Sequence, residues 1–99
     1  MLTITAVIRT KSGHEDTMRR ALLDVAENVR VNEANTIGFF VSQDAANPCV
    51  FTTYERFVDQ AAMDAHNNSD VVARFFGIAK PLLDGDVVLV TGSEISFKP

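Results

Sequence analysis

A single cysteine, Cys49, among 99 residues leaves the chain without an intramolecular disulfide or a metal centre built on several thiolates. Tryptophan is absent and tyrosine occurs once, at Tyr54. Positive charge is scarce: nine Lys and Arg face thirteen Asp and Glu, a formal net charge of −4. Such a balance offers no footprint for nucleic acid or for an anionic membrane surface. No apolar run approaches the roughly 18–20 residues of a membrane span. The N-terminus lacks the basic start, apolar run and small-residue cleavage site of a targeting segment. A cytoplasmic protein is therefore expected, and a free thiol agrees with a reducing compartment. Gly-rich phosphate loops, a Walker-type Gly-Lys-Ser/Thr and a nucleophile elbow are all missing. His14 and His66 are the only histidines, and Asp84 and Asp86 flank Gly85 in a turn, so no metal site is expected. What remains is enough for one packed core. The chain is 46% hydrophobic with seven Phe, too apolar for disorder, and residues 1–99 suit a single domain.

Hydrophobic periodicity orders that domain. From Leu2 to Thr10, Leu2, Ile4, Ala6 and Ile8 alternate with Thr3, Thr5, Val7 and Arg9, which predicts a strand. Lys11-Ser12-Gly13 breaks it, and Ser12 with Glu15 has capping-box spacing. Met18, Leu22, Val25, Ala26 and Val29 then recur at helical spacing, predicting a helix to about Asn32 or Ala34. Ile37 to Gln43 and Cys49 to Phe57 predict two strands joined by a turn at Asp44 to Pro48. In the later strand Phe51, Thr53, Glu55 and Phe57 share one face, and Val50, Thr52, Tyr54 and Arg56 the other. The pattern leaves open which face meets the core.

Asp59 is a candidate N-cap for a short helix to about Asn67, with Ala62, Met63 and His66 on one face. Ser69 caps a second piece, apolar over a wide arc and expected to be well buried. Pro81 and Gly85 help end it. Asp86 to Phe97 is a last strand, with Gly92 as a candidate bulge. This order predicts an α+β fold, the ferredoxin-like βαββαβ arrangement with a four-stranded antiparallel sheet. Helices would cover one sheet face. The other face, not fully polar in either register, would be an apolar patch of the kind soluble monomers avoid. A homodimer packed sheet against sheet is expected.

Few residues carry chemistry. His66 sits on the apolar face of a short helix, and imidazole exchanges protons near neutral pH. Glu55 is the acidic member of an otherwise apolar strand row, where a lone buried carboxylate would be costly. The two suit a structural hydrogen bond joining helix to sheet, and equally an acid–base pair lining a pocket. Tyr54 either hydrogen-bonds an aromatic substrate or packs in the dimer face. Phe39, Phe40, Phe75 and Phe76 suit either a core or an aromatic pocket. Asn67 and Asn68 interrupt the helix, and one of them has an amide to offer a ligand.

Several stretches resemble a known family. They are the opening Met1 to His14, the run Gly38-Phe39-Phe40-Val41-Ser42-Gln43-Asp44, then Tyr54-Glu55-Arg56-Phe57, and Ala62-Met63-Asp64-Ala65-His66-Asn67-Asn68-Ser69. Together they are similar to antibiotic biosynthesis monooxygenase-type domains, small quinol monooxygenases among them. The resemblance spans nearly the whole chain and implies a dimeric α/β barrel of two ferredoxin-like protomers. It implies oxygenation of an electron-rich quinol or polycyclic phenol by molecular oxygen, with no flavin, haem or metal. His66 would orient or deprotonate a phenolic hydroxyl, with Glu55 holding its tautomer. Tyr54, Asn67, Phe39 and Phe76 would contact the small aromatic substrate. Haem-degrading relatives use an Asn, a Trp and an iron-ligating His at places that here hold Ala6, His66 and Phe76, which speaks against haem. Another branch isomerises a phosphorylated signal metabolite and also carries a His at the His66 place. For the phosphate this chain offers only scattered Arg9, Lys11, Arg56, Arg74 and Lys80. A non-catalytic dimeric binding or stress-associated protein is the remaining alternative.

Overall fold

A computed structural model describes every residue from Met1 to Pro99. Strand β1 (Leu2–Arg9) follows the predicted alternation and buries Ile4, Ala6 and Ile8. Helix α1 (Glu15–Asn32) buries Met18, Ala21, Leu22, Val25 and Val29. Strands β2 (Thr36–Gln43) and β3 (Val50–Phe57) form the expected hairpin. Its turn closes on side chains: Asp44 accepts from the backbone N–H groups of Ala46 and Asn47, and Asn47 accepts from that of Cys49. Helices α2 (Gln60–Asn67) and α3 (Asp70–Ala79) start at the expected caps. Asp59 accepts from the Ala62 N–H at 2.9 Å, and Ser69 accepts from the Val72 N–H at 3.2 Å. A 3₁₀ turn at Lys80–Leu82 carries Pro81, and β4 (Val88–Ser93) completes the chain order. Gly85 between them has φ +85°, a backbone region that favours glycine.

The sheet is antiparallel throughout, in the order β2-β3-β1-β4. With helices between the strand pairs this is the ferredoxin-like βαββαβ fold. No helix is long and apolar enough to cross a membrane. The register settles which row of β3 is inward. Phe51, Thr53, Glu55 and Phe57 are all buried under the helices. Tyr54 lies opposite Thr5 of β1 and Phe40 of β2, and Thr5 lies opposite Val90 of β4. Phe40, Tyr54, Val88 and Val90 therefore populate the face without helices, where Phe40 is 57% and Val90 58% exposed. The C-terminal residues reach back to the same face. Glu94 accepts from Arg56 at 2.9 Å and from the Tyr54 hydroxyl at 3.1 Å, and the Arg56 guanidinium lies 4.4 Å from the centre of the Phe97 ring.

Three local expectations are corrected. Ser12 does not cap α1. Gly13 takes φ +90°, which leaves His14 at the N-cap without a side-chain bond, while Glu15 folds back to accept from the Gly13 N–H. Gly92 is not a bulge, since it pairs with Thr3 in an unbroken ladder; the irregularity lies on β2, between Thr36 and Gly38. Helix α3 is less buried than its wide apolar arc predicts. Only Phe75 and Ala79 are enclosed, because a single stripe of the helix faces inward, and Phe76 and Ile78 remain exposed. The capping geometry makes a stability prediction. Asp59→Ala and Ser69→Ala are each expected to cost about 1 kcal/mol. Ser12→Ala is expected to stay within ~0.5 kcal/mol of the parent. Urea unfolding midpoints at a constant slope decide it.

Candidate active site

Between the sheet and the helices lies a cavity of about 250 Å³. Inward residues of β1 and α1 build its floor and one wall, because both elements turn their apolar stripes to the same space. Phe75 and Phe76 come from α3, Phe39 from β2, and Val87 and Leu89 from the last strand and the turn before it. Eleven of the fifteen lining residues are hydrophobic, and the other four are Thr53, Glu55, His66 and Asn67. Only two of these are ionisable, and they touch each other.

The short helix α2 delivers His66 from its last turn, with the ring 5% exposed. Phe39 and Phe57 pack against it, with ring centres 5.6 and 5.5 Å away. Nε2 lies 3.2 Å from Oε1 of Glu55. Nδ1 makes a 2.8 Å hydrogen bond with Oε1 of Glu33. Each carboxylate is held in turn. Thr53 donates to the second oxygen of Glu55 at 2.8 Å, while Thr36 and Asn28 donate to the two oxygens of Glu33 at 2.8 and 3.2 Å. No buried side-chain nitrogen or oxygen lacks a partner.

This arrangement favours a charged ring. Ionised carboxylates only accept, so serving one on each side calls for N–H at both ring nitrogens, the imidazolium form. Burial opposes that form, but the hydrogen bonds and charges of Glu55 and Glu33 outweigh it and raise the His66 pKa above its ordinary value. The unit carries a net single negative charge when both carboxylates are ionised.

The predicted residues divide by sheet face. His66, Glu55, Asn67, Phe39 and Phe76 all line the cavity. Tyr54 does not: it is on the opposite face of the sheet, its hydroxyl bonded to Glu94. The alternation of β3 makes that exclusion strict, since Glu55 and its neighbour Tyr54 cannot face the same side. Glu33 was missed. Its signal was faint but physical, because a carboxylate at the C-cap of a helix opposes the helix dipole and calls for a cationic partner. On the Glu33 side of the ring a second, polar cleft of about 680 Å³ is lined by Asn28, Glu33, Thr36, Asp59, His66 and Asp70 among others. No group of three or more His, Cys, Asp or Glu side chains is arranged to hold a metal ion.

Comparison with known proteins agrees with this architecture. A model of the antibiotic biosynthesis monooxygenase family matches residues 1–77. The crystal structure of an antibiotic biosynthesis monooxygenase superposes with a TM-score of 0.89 at 21% identity, covering 97% of this chain and 100% of that one. A Pseudomonas aeruginosa protein gives 0.87 at 26% identity, over 96% of this chain and 94% of its own. A Mycobacterium tuberculosis protein gives 0.89 at 15% identity, over 99% and 98%. No curated protein matches the chain.

The raised pKa of His66 has a thermodynamic consequence. A group that gains proton affinity on folding contributes stability that is complete below its unfolded pKa and lost as pH rises through its folded one. The stability advantage of the parent over His66→Gln is therefore expected to be full below the ordinary histidine value of about 6.5 and to shrink as pH rises above it. Urea unfolding of both proteins on either side of that value measures it. A gap that widens with pH would contradict the imidazolium assignment.

Proposed function

The chain belongs to the antibiotic biosynthesis monooxygenase family, which supports a monooxygenase-like role in general terms, and from that premise we propose that it oxygenates an electron-rich phenol or quinol with molecular oxygen and no cofactor. The observation that carries this reading is the cavity itself, apolar but for one acid–base pair and its neighbouring Thr53 and Asn67. A cavity of roughly 150 Å³ takes benzene. The 250 Å³ space thus suits a substrate of one or two rings more than a larger polycycle.

Glu55 is the base in this reading. The imidazolium of His66 has no free lone pair to accept a proton, whereas the carboxylate does. The substrate O–H bond breaks, its proton forms an O–H bond on Glu55, and the phenolate becomes a strong electron donor. One electron passes to dioxygen, and the resulting superoxide and substrate radical join at a ring carbon to give a peroxide. Glu55 returns the proton to it. The peroxide forms at a ring carbon that bears a hydrogen; that C–H bond and the O–O bond then break, water leaves and a carbonyl remains, so one oxygen atom ends in the product and the other in water. Thr53 holds Glu55, the exposed Asn67 on the lining would donate to the substrate oxygen, and Phe39 and Phe76 would pack against the rings. The largely apolar lining strengthens each electrostatic contact. No Lys or Arg lines the cavity, which disfavours the isomerase alternative with its phosphorylated substrate.

In this reading the working unit is a homodimer closed over the open sheet face. Phe40, Tyr54, Val88 and Val90, all exposed there, would pack in its interface, since soluble monomers seldom leave apolar side chains clustered on one face. Two measurements test the proposal. Oxygen uptake on a panel of one- and two-ring hydroquinones is expected, with Glu55→Gln lowering kcat by about 10²–10⁴-fold. Ligand binding without any oxygen uptake would instead mark a binding protein. Light scattering at micromolar concentration is expected to give twice the chain mass, and a monomer mass would remove the dimer.

A further inference from the structure

His66 is the only side chain of the acid–base unit that borders both hollows. Its Nε2 faces Glu55 in the apolar cavity, and its Nδ1 faces Glu33 in the polar cleft. The contact to Glu33 is the shorter of the two, 2.8 against 3.2 Å. Glu33 is also the better anchored carboxylate, since three donors (Thr36, Asn28 and the ring) converge on it from three elements of the chain. It is the more exposed as well, at 17% against 9% for Glu55.

We propose that Glu33 is a positioning residue for the cavity base: from outside the cavity it locks His66 as an imidazolium aimed at Glu55, and its cleft lets the ring exchange that proton with solvent while substrate fills the cavity. This deepens the proposed function and rests on it for its kinetic part. The physical reason is one of geometry. A neutral ring has one N–H and can satisfy one carboxylate only. With Glu33 nearer, a ring that loses its proton keeps the N–H on Glu33 and turns a lone pair toward Glu55. Glu55 then loses its only cationic neighbour. It faces a second electron-rich atom, and its orientation toward a substrate hydroxyl is no longer held.

The charged groups around the ring are few. Glu55 comes from β3 and Glu33 from the end of α1. Asp59 at the start of α2 and Asp70 at the start of α3 line the cleft without a hydrogen bond to the ring. The remaining neighbours packed on it, Phe39 of β2 and Phe57 of β3, are uncharged. No cation faces the ring, so its protonation is set chiefly by these two carboxylates against burial, and removing either lowers its pKa.

The test has two arms. In the first, the His66 ring proton is followed by NMR against pH, with and without a redox-inert naphthalene diol ether as the occupant of the cavity. Glu33→Gln is expected to move the midpoint to lower pH, Glu33→Asp to restore part of the shift, and Asp70→Asn to leave it nearly unchanged. The wild-type ring is expected to keep titrating with the cavity filled. In the second, the kcat profile is measured by oxygen uptake at saturating hydroquinone. Its alkaline limb is expected to move to lower pH in Glu33→Gln and back toward the parent in Glu33→Asp. An NMR midpoint indifferent to Glu33→Gln, or a ring that stops titrating when the cavity is filled, overturns the inference whether or not oxygen is consumed. A shifted midpoint with an unmoved kcat limb also overturns it, and leaves the oxygenase reading intact. Absence of any oxygen uptake sinks the oxygenase reading and the kinetic role with it, while the NMR arm alone still decides whether Glu33 controls the ring.

Discussion

A histidine ring clamped between two carboxylates is the constraint around which this small domain is organised. It joins three parts of the chain that are distant in sequence: the end of α1, the middle of β3 and the last turn of α2. Such a group is costly to bury, and removing one member leaves an uncompensated charge. The surrounding sequence is arranged to meet that cost. Thr53 and Thr36 stand two and three residues from the carboxylates they serve, and Asn28 reaches Glu33 from the preceding turns of α1. Satisfied in full, a buried polar network of this kind holds its elements in one arrangement.

The apolar cavity depends on the same clamp. Helix α2 is only eight residues long and would be marginal by itself. Its buried contacts are Met63, which joins Ile4 and Phe57 in a small second core, and His66. The main core lies elsewhere, between α1, α3 and the sheet. The cavity is lined mainly by members of the main core, with Ile4 from the smaller one, and α2 reaches it only through His66 and Asn67. Its polar wall includes Glu55 and His66 of the clamp.

Much of this was legible in the sequence, for reasons that differ by element. The strands and α1 show because their periods, two and 3.6, are carried by many residues each, and single exceptions such as Ala26 do little harm. The caps Asp59 and Ser69 show because a cap acts on its own backbone, within a few residues. Ser12 misled for a related reason: its spacing to Glu15 was right, but the positive φ of Gly13 moved the helix start beyond its reach. The pairing of Glu55 with His66 could be anticipated because a lone acid in an apolar strand row demands a partner. Glu33 could not be placed the same way. It caps the end of α1, and its contact spans 33 positions of sequence that only the packing of α1 and α2 on the hairpin brings together. Tyr54 was undecided until the register of β3 against β1 fixed both faces at once.

On the proposed function, charge arithmetic favours a carboxylate over the histidine as the base in such a cavity. With both acids ionised and the ring protonated, the unit carries one net negative charge. Transfer of a proton from a neutral phenol to Glu55 moves that charge onto the substrate and creates none. Transfer to a neutral imidazole would instead separate two opposite charges against a largely apolar lining. The resting imidazolium stays beside the site in both states and favours whichever neighbour is anionic. The same arithmetic sets a limit on substrates. At about 5 Å and an effective dielectric near 20, two like charges repel by roughly 3 kcal/mol. A phosphorylated ligand would bring one or two further negative charges against Glu55, with no Lys or Arg in the lining to offset them. A neutral aromatic hydroxyl meets no such barrier, and its ionised form appears only as Glu55 becomes neutral. On the proposed reading, selection for neutral, acidic-hydroxyl substrates would follow from the charge state of the clamp, before any shape complementarity of Phe39, Phe75 and Phe76 is considered.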